Sequence, residues 1–200
     1  MWKSICAGIA ISIGCIANLM AQDRLVGAVL FGVGLLAVCV HGLKLYTGTV
    51  CRAEPSIMSV AENVEVLYWN CVGVVIAAVI FWAAGIDTNV DALVSEKLAE
   101  TPLELFARAM MCNILICIAV DEWEEQKNSL LVLLAVTVFV FCGFEHCIAN
   151  LFYMMAAYHV DLGFFALNVL GNAAGGILFW RCKNWRRKRG RCKHWRIKYY

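Results

Sequence analysis

The chain has little charge and almost no proline. Of its 200 residues, 16% are Asp, Glu, Lys or Arg and only 2 are Pro. A soluble domain ordinarily carries about a quarter charged residues, so a soluble globular reading is excluded. No phosphate-binding loop, G-x-S-x-G elbow or zinc spacing is present, which removes the common soluble-enzyme signatures. The 11 Cys contain no C-x-x-C, and most lie inside apolar stretches, where Cys packs as a small hydrophobe. A disulfide framework is therefore not expected. Neither is an enzymatic activity, a metal or a cofactor.

What the chain does have is apolar length. Hydrophobic residues make up 62%. Residues 25–43, 66–86 and 162–180 each run without a full charge, and about 20 such residues cross a bilayer as a helix. The expected fold is an all-α membrane protein with six spans, at 4–20, 25–45, 62–85, 104–121, 129–158 and 162–182. No small-residue cleavage site follows the first span, which is read as permanent.

Ten of the 17 Lys and Arg fall in residues 181–198. A basic tail directly after a span reads as cytoplasmic. The expected domains are a channel-like membrane unit, 1–182, and a tail, 183–200, with both termini cytoplasmic in a plasma membrane. A nucleic-acid arm is the competing reading of "RRKRGRCK", and nucleic acid is not the expected partner. The acidic stretch 87–104 fits a loop on the far side. Arg24, placed outside, and the acidic segment 121–128, placed inside, run against the charge rule.

Two spans are too long. Residues 129–160 as one straight helix would reach about 48 Å, against a hydrocarbon core of about 30 Å. A break at Gly143, before Glu145 and His146, shortens it. The second span has the same character, with Gly42 and Gly48 around Lys44 and Thr47. Gly42 and Gly143 are 101 positions apart. Asn70-Cys71-Val72-Gly73 and Asn172-Ala173-Ala174-Gly175 give N-x-x-G twice, 102 positions apart. Spans 1–3 and 4–6 thus read as two copies of one unit. Three spans is odd, so the copies insert in opposite senses. Broken helices in inverted repeats place solute sites near the midplane.

An ionisable side chain in a membrane helix persists where it has a partner or faces solute. His146 is read as a neutral group that donates a hydrogen bond to an anion or passes it a proton; a hydrogen-bonded packing residue is the alternative. Glu145 is expected to face elsewhere and accept from free backbone N–H groups. Thr47 offers a hydroxyl. Lys44 either lines the cytoplasmic vestibule or snorkels to its rim. Asn113 either faces the same cavity or bonds to a neighbouring helix.

"GFEHCIAN", residues 143–150, resembles the signature of the formate–nitrite transporter family. "VLFGVGLLAVCVHGLKLYTGTV", "AMMCNILICIAV" and "LGNAAGGILF" are similar to its second, fourth and sixth helices. The resemblance implies an aquaporin-like bundle with a pore in every subunit and five subunits in a ring. It implies a central pore His at His146, with Thr47 beside it and Asn113 as pore amide. It implies Lys97 as an anion-attracting residue, joined here by Lys44. An outer constriction would fall at Phe31, Ile116 and Phe139, and an inner one at Leu35 and Leu45, with Gly143, Glu145 and Asn150 framing the break. A Lys at position 44, where the family often has an acid or neutral residue, would make the inner vestibule more positive. No amphipathic N-terminal helix of the kind many members carry is recognised, so gating by one is not expected. "KLYTG" looks closer to a shorter branch that includes hydrosulfide channels.

The expected partners are a small monovalent anion, a proton and the bilayer. A bare anion crossing an apolar slit would lose its hydration at prohibitive cost. Transit as the neutral acid, with His146 supplying or relaying a proton, avoids this. Two other classes compete: a haem protein using His41 and His146, and a thiol enzyme using Cys112 with Cys117 or Cys142 with Cys147.

Overall fold

The computed structural model describes the backbone of residues 1–196 and the side chains of residues 1–185. Nine helices and no strand occur among them. In chain order these are α1 (Trp2–Met20), α2 (Arg24–Val40), α3 (Tyr46–Val50), α4 (Ile57–Ala83), α5 (Val90–Leu98), α6 (Pro102–Gln126), α7 (Ser129–Phe141), α8 (Cys147–Ala156) and α9 (Leu162–Arg196). α1, α4, α6 and residues 162–185 of α9 are long and apolar enough to cross a membrane. The other apolar helices, α2, α7 and α8, are shorter. Length alone therefore qualifies four spans rather than the expected six.

Polar residues set the helix starts. Asp23, Ser56 and Asn128 accept the N–H of Val26, Ser59 and Leu131, the pattern of an N-cap. Thr101 and Glu104 form a reciprocal capping box, with Pro102 in the first turn. Glycine at positive φ follows three helices, α2, α4 and α7, with Gly85 at φ +61° after α4. Gly42 has φ +56° and Gly143 φ +70°, a left-handed conformation that costs a side chain about 1–2 kcal/mol. The chain then folds back in the same way twice. Leu43 N–H donates to Val38 O and Phe144 N–H to Phe139 O, both at 2.9 Å, as in a Schellman stop.

The buried asparagines show the same duplication. Asn70 of α4 accepts from Tyr46 N–H at 2.8 Å and donates to Ser4 O and Lys44 O. Asn172 of α9 accepts from Cys147 N–H at 2.9 Å and donates to Ala109 O and Glu145 O. Each amide thereby satisfies an open N–H and an open C=O at the start of a short helix and ties them to a neighbouring long helix. The glycine of each N-x-x-G motif admits a neighbouring helix. A Cβ on Gly73 would overlap Ile5 O of α1, and one on Gly175 would overlap Met110 O of α6.

The main packing pairs are α1 with α2 and α4, α6 with α9, and α2 with α7. Large apolar side chains such as Val33, Val79, Ile80, Leu134 and Leu170 are exposed around the bundle. In water such a surface would aggregate; in lipid it is matched.

Three expectations need correction. The stretch 87–104 is not all loop: α5 forms because Val90 and Val94, four apart, bury one face, with Asp91 in its first turn and Lys97 in its last. The acidic segment after residue 121 is largely helix, because α6 continues to Gln126 while Arg52 and Lys183 pair with Asp121. Cys51 and Cys117 form a disulfide, with Cα atoms 6.3 Å apart. It ties the segment after α3 to α6. α9 runs unbroken in its backbone through 182–183 to Arg196; the tail's side chains from 186 onward lie outside the described residues.

Candidate functional site

The two chain breaks meet inside the bundle. His146 is the N-cap of α8, and its Nδ1 accepts Ala149 N–H at 3.1 Å. An accepting Nδ1 carries no proton, so a neutral ring holds its proton on Nε2. That nitrogen stands 3.1 Å from Thr47 Oγ1, in the first turn of α3. Nε2–H donates to the threonine, whose own hydroxyl proton remains available. Both side chains are buried. Phe139 stacks on the imidazole at 6.0 Å and meets Phe31 edge-on at 5.6 Å.

Two cavities lie near this group, here termed outer and inner after the expected constrictions; Thr47 lines neither. The outer one, about 450 Å³, is lined by Phe31, Phe139, His146, Glu145, Lys97 and residues of α5. The inner one, about 460 Å³, is lined by Leu35, Val38, Leu45, Arg52 and Lys127. Phe31 and Leu35 are one turn apart on α2, about 6 Å along its axis. Each borders one of the two cavities.

Glu145 does not face away, and it does not take backbone donors. It lines the outer cavity beside His146. Lys97 Nζ donates to both its carboxylate oxygens at 2.8 Å, and Asn150 Nδ2 donates to Oε2. The break's backbone is held instead by amide side chains: Glu145 O accepts from Asn168 and Asn172, each at 2.8 Å. A buried carboxylate is stable only with such donors in place.

Other expected site residues separate. Ile116 is buried but lines neither cavity. Asn113 also lines neither; its Nδ2 lies 3.7 Å from Cys51 Sγ, and its Oδ1 has no hydrogen-bond partner. Lys44 is exposed on a third cavity with Ser4, Glu62 and Glu65, not on the inner one. His41 is exposed at the end of α2, while both ring nitrogens of His146 are engaged, so the two offer no paired axial ligation. Of the proposed thiol pairs, Cys117 is taken by Cys51, and Cys112, Cys142 and Cys147 are free.

Charge at the cavities comes partly from residues the sequence did not single out. Arg24 and Arg108 line the outer cavity, and both guanidinium groups approach Gly143. Arg108 Nη1 donates to Glu100 Oε1 at 2.7 Å. Burial and then the nearby Glu145 carboxylate push the Glu100 carboxyl up to about 7, against the pull of Arg108 and Lys97. At the inner cavity Arg52 pairs with Glu124 and, at 3.4 Å, with Asp121. The sequence marked Arg24 only as an exception to the charge rule, and Arg108 only as a charge within an expected span; neither was tied to a cavity.

An apolar-faced helical bundle with a polar crossing between two cavities defines a class: membrane transport proteins. The family pattern for formate/nitrite transporters matches residues 1–186, and the chain belongs to that family. It is 28% identical over 182 residues to the formate channel FocA of Escherichia coli K12, covering 76% of this chain and 63% of the relative. It is 29% identical over 148 residues to the formate channel FocA of Haemophilus influenzae, covering 64% and 52%. The chain thus spans roughly half to under two thirds of those relatives' length. A solved pentameric formate channel with formate bound superposes with a TM-score of 0.81 at 26% identity, over 93% of this chain and 95% of that one.

Proposed function

We propose that the protein is a plasma-membrane channel for small monovalent weak-acid anions, formate or nitrite foremost, with hydrosulfide as the second candidate. The observation that carries this is the buried His146–Thr47 pair, with His146 lining the outer cavity and Leu45 and Gly48, on either side of Thr47, lining the inner one. The solute enters the outer cavity as an anion, drawn by Lys97, Arg108 and Arg24. It passes Phe31 and Phe139 as the neutral acid, because an ion there would lose its hydration without replacement. Thr47 offers its hydroxyl proton as a hydrogen bond while Nε2–H of His146 holds the threonine oxygen. His146 in this neutral form orients the crossing rather than storing a proton. Leu35 and Leu45 bound the inner exit, beside Arg52.

In this reading α2 with α3, and α7 with α8, are two interrupted spans, which brings the crossings to six in two inverted halves. The matched bonds of Asn70 and Asn172 and the matched stops at Gly42 and Gly143 support it. The basic C-terminal segment and the N-terminus lie in the cytoplasm. Five protomers form a ring, each with its own pore; that the superposing formate channel is pentameric supports the number.

Uptake by purified protein in liposomes tests the reading. Formate, nitrite and hydrosulfide are offered separately at two external pH values. Faster uptake of one of them, increasing at the lower pH, is expected. Uptake no faster than into protein-free liposomes for all three would refute it.

A further inference from the structure

In the outer cavity one carboxylate oxygen stands apart. Glu100 occupies the short link between α5 and α6. Its Oε1 accepts from Arg108, but its Oε2 is buried with no hydrogen-bond partner. Both oxygens of Glu145 have donors. A buried acceptor without a donor is destabilising. Protonation of Oε2 removes that penalty, because a carboxyl O–H has an acceptor nearby in the Glu145 carboxylate. Protonation of Glu100 also relieves its repulsion with the neighbouring Glu145 carboxylate.

We propose that Glu100 is the proton donor to the incoming anion, acting in the outer cavity before Phe31 and Phe139. The inference rests on the channel reading above. The titratable and charged groups that line the cavity with Glu100 are Lys97 and Glu96 of α5, Arg108 of α6, Arg24 of α2, Cys142, Glu145 and His146 of the α7–α8 link, and Tyr153 of α8. The three cations draw the anion in. The Oε2–H bond of Glu100 then breaks, its electron pair stays on the carboxylate, and the proton bonds to the anion. The products are the neutral acid and an ionised Glu100 held by Arg108. A proton from the outer water restores the carboxyl. The step needs no other reactant and runs backwards for efflux. The upward pull on the Glu100 carboxyl, to about 7, suits a donor working near neutral pH.

The test is Glu100→Gln in the full-length protein. The amide keeps the acceptor for Arg108 and a donor for Glu145 but has no acidic proton. Two readouts are taken. One is formate uptake into liposomes across external pH. The other is infrared absorption of the protonated carboxyl during a pH titration without any solute. We expect the wild type to show a carboxyl band that titrates near neutrality and is missing in the variant. Uptake by the variant should fall by roughly tenfold or more and lose its acid-side increase, with an unchanged elution profile in gel filtration. Absence of that band in the wild type overturns the proposal, as does a variant with the wild-type pH profile. Failure of the wild type to move any of the anions overturns the channel reading instead, and the infrared titration still reports whether Glu100 holds a proton.

Discussion

Thr47 Oγ1 and His146 Nε2 stand 3.1 Å apart although 99 positions separate them in the chain. Each lies just past a glycine-stopped helix, one in each half of the sequence. The contact joins the two halves beside the two cavities, so its removal separates packing from passage. Thr47→Val keeps the shape but leaves Nε2–H without an acceptor. A loss of about 1–3 kcal/mol in unfolding stability is expected, with uptake falling roughly tenfold or more. Thr47→Ser restores the hydroxyl and should recover most of both. Full uptake by the valine variant would remove Thr47 from the crossing.

Lys97 and Glu145 form the most buried ion pair at the outer cavity, with side chains 15% and 1% exposed. Removing only the cation leaves a carboxylate uncompensated inside the bundle. Lys97→Met should cost about 3–5 kcal/mol, read as a lower thermal midpoint in detergent. The double change Lys97→Met with Glu145→Gln should regain much of that stability but not the uptake rate, since the attraction for anions stays lost. A single Lys97→Met protein as stable as the wild type would show that the pair is not holding the break.

The duplicated amide bonds give a third expectation. Asn70 and Asn172 each serve one backbone donor and two backbone acceptors around a chain break. Asn70→Ala and Asn172→Ala should therefore lower stability by similar amounts, each by roughly 2 kcal/mol or more, since several buried groups lose partners at once. Thermal denaturation of the two purified variants measures this. A large loss for one and none for the other would argue against equivalent halves.

Much of this arrangement is legible in the sequence because the signals are rare where they occur. Glycine, asparagine and an ionisable pair stand out in apolar runs, so Gly42, Gly143, the two N-x-x-G motifs and His146 point to the proposed breaks on sequence grounds alone. Partners are less visible. Lys97 has Glu96 and Glu100 close in sequence, yet its ammonium reaches Glu145, 48 positions away. The Cys51–Cys117 link spans 66 positions and has no motif. Glu100 reads as one more acid in a charged loop, and only the orphaned Oε2 and its neighbour Glu145 set it apart. Lys44 was attractive by sequence because it follows the break, but the left-handed turn at Gly42 sends it to a different cavity.

Glu100 also ties stability to pH with a definite sign. Its carboxyl ordinarily titrates near 4.5 and in the fold is pushed up to about 7. Between these values the folded protein binds a proton that the unfolded chain releases. The contribution to stability is thus fully present below about 4.5 and is lost as pH climbs through about 7. Other carboxylates titrate over the same range, so the difference between the wild type and Glu100→Gln isolates this group. Wild-type stability relative to the glutamine variant should fall steadily from acid to neutral pH and level off above neutrality, as read from thermal midpoints in detergent. A difference that stays flat, or that grows with pH, would mean that Glu100 is ionised throughout and that its buried oxygen is satisfied in some other way.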